Sequence, residues 1–127
     1  MGEARAEITI DRPADEVWAT VGNFGELTWM PGVDTSELDG DNRILGMFGS
    51  MRVVEHQYAR DDEGRTLTYG IVEGDIKPEV HRATITVIPA GSGSFVTWDV
   101  TTDDAMVEVM QGAYSGALEA LKTLLEG

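Results

Sequence analysis

The feature that most constrains the fold is the alternation of apolar and polar residues between Val33 and Thr102. Turn-forming sequences interrupt it at Asp39–Asn42, Phe48–Ser50, Asp61–Gly64, Gly74–Pro78 and Ala90–Gly93. A period of two is typical of half-buried strands, and it predicts six of them. They are Val33–Leu38, Arg43–Met47, Met51–Ala59, Arg65–Glu73, Val80–Ile88 and Ser94–Thr102. Because the turns are short, neighbouring strands should run antiparallel.

The segments on either side of this run add one strand and three helices. Ala4–Ile10 alternates like a strand, and Pro13 opens a short helix with apolar positions at helical spacing. A second short helix is predicted at Glu26–Met30, before Pro31 and Gly32 break the chain. Asp104–Glu126 carries one long apolar stripe and predicts a helix, which Asp103 or Asp104 could cap.

This order of elements predicts an α+β fold in a single domain over residues 1–127. A seven-stranded antiparallel sheet needs cover on its apolar face, and only the C-terminal helix is long enough to provide it. We expect the sheet to curve around that helix, with the two short helices closing one end. One helix is only about 10 Å wide, so a gap should remain between helix and sheet, and small ligands bind in such gaps.

Composition narrows the possible partners. The 127 residues carry a formal charge of −14, which should repel nucleic acids and anionic membrane surfaces. No apolar run is long enough to span a bilayer, and the N-terminus lacks the features of a secretion signal. With no cysteine, disulfides and thiolate metal sites are excluded. We therefore expect a soluble cytoplasmic protein without membrane insertion, without a nucleic-acid partner, and without a metal or cofactor.

Alternation also predicts which side chains face the helix. The inward rows are Leu67, Tyr69 and Ile71; His81, Ala83, Ile85 and Val87; and Val96, Trp98, Val100 and Thr102. Tyr69 and His81 are the polar members that need buried partners. In Met51–Ala59 two faces compete, and we favour the one that points Glu55 inward.

Several aromatic, methionine and glycine positions allow two readings. Met106, Met110 and Tyr114 lie on the first turns of the long helix, where they could fill the core or line a cavity. Trp18 fits the core, whereas Trp29 and Phe24 could belong to a lid over the cavity. Gly112 and Gly116 share one helix face, which indicates either close approach to the sheet or room for a ligand or hinge.

Seven stretches, in order, resemble one family. They are ITIDRPADEVWATVGNFGEL, WMPGV, LDGDNRIL, RTLTYGIVEGDIKP, HRATITVIP, GSFVTWDV and YSGALEALKTLLE. The sequence is similar to the bacterial polyketide cyclase/dehydrase and lipid-transport branch of the START-like (SRPBCC, birch-pollen-allergen fold) superfamily. This resemblance implies a helix-grip fold with a deep apolar cavity. It also implies that Arg43, Tyr69, His81 and Trp98 face or edge that cavity.

Three functions remain open at this point. An apolar cavity with a few polar anchors favours binding or transport of a small hydrophobic molecule such as a lipid or polyketide. The alternative is a cyclase or dehydratase in which Arg43 polarises a carbonyl, Tyr69 donates a proton and His81 or Glu55 acts as base. A protein-interaction or regulatory role is the third. No catalytic residue is assigned, and the oligomeric state is left undefined. The predicted ligand-binding residues are Trp29, Arg43, Glu55, Tyr69, His81, Trp98, Met106, Met110 and Tyr114.

Overall fold

The computed structural model describes residues 1–127 and contains seven strands and two α-helices. The elements are β1 (Gly2–Ile10), α1 (Ala14–Val21), β2 (Val33–Asp39), β3 (Asn42–Met47), β4 (Met51–Asp61), β5 (Thr66–Gly74), β6 (His81–Ala90), β7 (Gly93–Thr102) and α2 (Val107–Glu126). The seven strands form one sheet, in which neighbours run antiparallel, in the order β1-β7-β6-β5-β4-β3-β2. The predicted seven-stranded antiparallel sheet is confirmed. Neither helix is long and apolar enough to cross a membrane.

The hydrophobic core lies between the sheet and α2. Along β6 and β7 buried and more exposed residues alternate, as a half-buried strand requires, except that Thr97 is buried between Val96 and Trp98. On α2 the buried residues are Met110, Tyr114, Ala117, Leu118 and Leu121, which share one face at helical spacing. The inward rows predicted for β5, β6 and β7 are buried, except for Ile71, which is half-buried.

The second short helix predicted at Glu26–Met30 does not form. Two separate turns stand there instead, closed by Glu26 N–H to the Asn23 carbonyl and by Met30 N–H to the Leu27 carbonyl, both at 3.0 Å. The Glu26 carboxylate accepts the backbone N–H of Thr28 at 3.0 Å. Such local side-chain bonds compete with a helical ladder, and Pro31 follows at once.

The C-terminal helix begins later than predicted. Asp104–Met106 form a single 3₁₀ turn, and the α-helix starts at Val107. No aspartate side chain caps this start. The Asp103 carboxylate instead accepts the backbone N–H groups of Glu79 and Val80, at 2.9 and 2.8 Å. Asp103 thus holds the loop before β6 in place.

The close approach considered for Gly112 and Gly116 is absent. A Cβ atom added at either position would meet nothing within 4 Å. Gly70 on β5 is different, because a Cβ there would collide with the His81 carbonyl oxygen. The glycine that permits close approach therefore lies in the sheet, where it lets the start of β6 pack against β5.

Candidate functional site

A cavity of about 150 Å³ lies between the sheet and the first turns of α2. Most of its wall is apolar, and four methionines contribute to it: Met30, Met47, Met106 and Met110. Unbranched methionine side chains adapt to irregular spaces and to varied ligands. Among the residues of the wall, Glu55, Tyr69 and Tyr114 are the ones with polar side-chain groups.

Glu55 is held by an ion pair at the cavity wall. Arg43 on β3 and Glu55 on β4 are directly paired across the hairpin, and Arg43 Nε donates to Glu55 Oε1 at 2.7 Å. Both side chains are buried. Arg43 also donates to the Phe24 carbonyl at 3.3 Å, and its guanidinium lies 4.1 Å from the Phe24 ring centroid. A buried charge needs partners of this kind, so this geometry accounts for how both charges remain inside.

Four side chains, two on the cavity wall and two behind it, form a hydrogen-bonded cluster. Trp98 Nε1 donates to Tyr69 Oη at 3.1 Å, and Tyr69 Oη donates to Tyr114 Oη at 3.3 Å. His81 Nε2 lies 2.9 Å from Tyr114 Oη. The Trp98 and Tyr114 rings stack with centroids 4.2 Å apart. The cluster thus ties strands β5, β6 and β7 to α2 at the base of the cavity.

His81 replaces part of the β5–β6 ladder. Paired residues between these strands end at Tyr69 and Ala83, and beyond that point the backbone N–H of Ile71 donates to His81 Nδ1 at 3.1 Å. A nitrogen that accepts an N–H carries no proton, so in the neutral ring the hydrogen is on Nε2 and is donated to Tyr114. Burial lowers the pKa of His81 and favours this neutral form.

Burial also keeps both phenols protonated. It raises the pKa of Tyr69 far above its ordinary value, and the charge of Glu55 adds to this. Burial raises the pKa of Tyr114 as well, with further contributions from Tyr69 and Glu55. Arg43 opposes the effect at both phenols but does not outweigh it. The two hydroxyls are therefore hydrogen-bond donors, and neither is a ready source of a proton.

The structure brings eight of the nine predicted site residues together. Glu55, Tyr69, Met106, Met110 and Tyr114 are on the cavity wall. Arg43, His81 and Trp98 stand behind them, each in contact with a wall residue through the bonds described above. Trp29 lies apart from the wall with its ring 6.3 Å from that of Trp98, and its buried Nε1 has no hydrogen-bond partner. Phe24 is buried against Arg43 and is not a wall residue either.

Phe48 was missed at the sequence level and is the most informative addition. It lies in the β3–β4 turn with φ of +51° and is 63% exposed, yet its ring is part of the cavity wall. Gly49 follows with φ of +80°, and Ser50 N–H bonds to the Met47 carbonyl at 3.2 Å. Turns with two positive φ values favour Asn-Gly, so a phenylalanine at the first of these positions is the sequence signal for a special role.

A long helix held by a curved seven-stranded antiparallel sheet, with a cavity between them, defines the helix-grip class of proteins. The family model described as polyketide cyclase/dehydrase and lipid transport matches residues 1–126, and the chain belongs to this family. The resemblance inferred from the seven stretches is confirmed. No curated protein sequence matches the chain.

Solved structures with the same fold cover nearly the whole chain. The protein XoxI from Bacillus cereus is 26% identical with a TM-score of 0.92, over 100% of this chain and 99% of that one. An uncharacterised protein from Bacillus thuringiensis is 24% identical with a TM-score of 0.92, and the match covers 99% of this chain and 100% of that one. Ara h 8.0201 is 19% identical with a TM-score of 0.78, over 99% of each chain. These likenesses establish the fold.

Proposed function

We propose that this protein binds a small hydrophobic molecule in the cavity between the sheet and α2. The observation that carries the proposal is the cavity itself, an apolar space whose wall includes four methionines and few polar residues. Binding sites for small molecules combine an apolar wall with a small number of fixed polar groups in this way. Family membership supports hydrophobic ligands in general.

Cavity volume limits the size of the ligand. An apolar cavity of about 150 Å³ accommodates a molecule the size of benzene. A single ring or a short acyl chain therefore matches the space, and a longer lipid or polyketide would need the wall to open. Phe48 and Val109 are the large exposed side chains of the wall, and Pro31 and Ala113 are exposed as well, so these four residues mark its outer end.

The cyclase or dehydratase alternative has less support. Arg43 is engaged by Glu55 and the Phe24 carbonyl behind the wall, so its guanidinium is not free to polarise a substrate carbonyl. His81 is a poor base, because its Nδ1 accepts the Ile71 N–H and its Nε2 faces Tyr114. Glu55 remains as the one carboxylate on the wall.

The methionines supply a direct test of binding. The chain has six, of which four line the cavity while Met1 and Met51 do not. In protein labelled with ¹³C at the methionine methyls, titration with ethylbenzene should shift the signals of Met30, Met47, Met106 and Met110 in a saturable manner. The signals of Met1 and Met51 should stay in place and serve as internal controls.

A matched pair of variants locates the site. Ile71→Phe adds volume at the cavity wall, whereas Ile88→Phe makes the same change at an exposed position of β6. We expect the first variant to weaken ethylbenzene binding and the second to leave it unchanged. Absence of any saturable shift in the four wall methionines, or equal shifts in all six, would overturn the proposal.

A further inference from the structure

The cluster at the base of the cavity contains one hydrogen-bond donor too many. Trp98 Nε1, Tyr69 Oη, Tyr114 Oη and His81 Nε2 each carry one hydrogen, and only the two phenol oxygens are available as acceptors. Three hydrogen bonds join these four groups. His81 Nδ1 offers no further acceptor, since it already accepts the Ile71 N–H.

The excess does not depend on how the hydroxyls are turned. If Tyr69 donates to Tyr114, the Tyr114 hydrogen is left over; if the direction is reversed, the Tyr69 hydrogen is left over. No hydrogen bond joins either phenol to Glu55, whose Oε1 is taken by Arg43. Both tyrosines line the cavity, so in either arrangement the surplus hydrogen belongs to a residue of its wall.

The local charge disfavours an anionic ligand. Glu55 is on the same wall, and its charge raises the pKa of both phenols by more than the charge of Arg43 lowers it. A buried donor without an acceptor is costly, and an oxygen atom of a ligand would remove that cost. A second carboxylate would instead be repelled by Glu55.

We propose that the ligand carries a neutral oxygen acceptor, such as a ketone or ether oxygen, that takes the surplus phenolic hydrogen of the Tyr69–Tyr114 pair. The inference rests on the proposed function, because it assigns the chemistry of the ligand in the same cavity. It adds that hydrophobicity alone does not define the ligand. The site selects among compact apolar molecules by one hydrogen bond and by charge.

Three probes of similar size separate these features: ethylbenzene, acetophenone and benzoate. In a cavity without a free donor, burying a ketone would cost its hydrogen bonds to water, and acetophenone would bind on the order of a hundredfold more weakly than ethylbenzene. With the surplus hydrogen available, the two affinities should agree within about threefold. Benzoate should bind at least about tenfold more weakly than acetophenone.

The carbonyl stretch of bound acetophenone reports the hydrogen bond itself. We expect a lower frequency than that of acetophenone in hexane. A hexane-like frequency, an acetophenone affinity more than about threefold below that of ethylbenzene, or a benzoate affinity less than about tenfold below that of acetophenone would overturn the inference. If ethylbenzene binds and one of these results is found, the proposed function stands and the inference fails. If no probe shifts the wall methionines, both fail.

Variants assign the hydrogen to the tyrosine pair. Each single Tyr→Phe change leaves a phenolic hydrogen in excess, so Tyr69→Phe and Tyr114→Phe should each keep the lowered carbonyl frequency. The combined variant removes both phenolic hydrogens and leaves only the N–H groups of Trp98 and His81, which are not on the cavity wall, so the frequency should rise toward its value in hexane. Tyr58→Phe, at an exposed tyrosine outside the cavity, is the matched control. If the combined variant does not fold, the frequency in the wild-type protein still decides the question.

Discussion

Arg43 and Glu55 face each other across the β3–β4 hairpin and form an ion pair of 2.7 Å in which both side chains are buried. One of the two charges is on the cavity wall and the other is behind it. Taking charges out of water is costly, and mutual pairing offsets that cost only while both partners are present. Replacing either residue should therefore change both the stability of the fold and the charge at the cavity.

Arg43→Met should lower the free energy of unfolding by about 3–5 kcal/mol, because it leaves the Glu55 carboxylate buried without its partner. Urea denaturation followed by tryptophan fluorescence measures the change. The double variant Arg43→Met/Glu55→Met removes both charges and should be more stable than Arg43→Met alone. Arg5→Met, which breaks the exposed pair with Asp99, is the matched control and should cost far less. A loss in Arg43→Met no larger than in Arg5→Met would contradict the expectation.

The pairing of Arg43 with Glu55 was within reach of the sequence. The sequence predicts a turn at Phe48–Ser50, and a three-residue loop there pairs Met47 with Met51. Counting back along an antiparallel hairpin then places Arg43 opposite Glu55. The face of this strand was harder to assign, because Val53, Val54 and Glu55 are all buried. A register shift between Val54 and Glu55 breaks the alternation there.

Other parts of the site depend on contacts that a sequence pattern does not contain. His81 bonds to Ile71 N–H because β5 and β6 part beyond Tyr69, and nothing in the spacing of these residues indicates that separation. The helix predicted at Glu26–Met30 is absent for a local reason, since the Glu26 side chain accepts a hydrogen bond from Thr28 N–H. Period-two and helical patterns predict which residues are buried. They do not predict which polar groups form hydrogen bonds with one another.

The free energy of unfolding should decrease as the pH is lowered, because of His81. Burial holds its pKa below the ordinary value near 6.5, with Glu55 raising and Arg43 lowering it. As the pH drops below about 6.5, the unfolded chain takes up a proton at His81 and the folded chain does not. The free energy of unfolding should therefore decrease, by at most about 1.4 kcal/mol per pH unit, until the pH reaches the folded-state pKa.

His81→Asn isolates this effect, since its side-chain oxygen can accept the Ile71 N–H without titrating. Carboxylates titrate in both proteins and their effect cancels in the comparison. Between about pH 7 and pH 5, wild type should therefore lose more of its free energy of unfolding than the variant does. Chemical denaturation at a series of pH values measures it. A constant difference, or an imidazole titration midpoint at or above about 6.5 in NMR spectra of the folded protein, would contradict the expectation.

Gly112→Ala and Gly116→Ala should each raise the free energy of unfolding by about 1 kcal/mol, because alanine is the better helix former and neither Cβ meets a neighbour. Thermal denaturation measures both variants and their combination. Gly70→Ala is the contrasting control and should destabilise the protein, since its Cβ collides with the His81 carbonyl. Destabilisation by alanine at Gly112 or Gly116 would mean that this face of α2 is in contact with another group.

Phe48→Asn should loosen the mouth of the cavity without loss of stability. Phe48 adopts a positive φ that asparagine tolerates better, so relief of that strain should add up to about 1 kcal/mol to the free energy of unfolding. The ring lies over Gly32 and forms part of the cavity wall. Its removal should therefore speed the release of ethylbenzene, measured from the exchange broadening of the Met47 and Met106 methyl signals.

Phe48→Leu provides the control, because it keeps an apolar side chain and the same backbone strain. It should release ethylbenzene more slowly than Phe48→Asn and should show no gain in stability. A lower free energy of unfolding in Phe48→Asn than in wild type would contradict the expectation. It would mean that the contact of the ring with Gly32 stabilises the protein by more than the backbone strain at Phe48 destabilises it. Equal release rates in wild type and Phe48→Asn would mean that ligands enter elsewhere, most directly beside Val109, the other large exposed side chain of the wall.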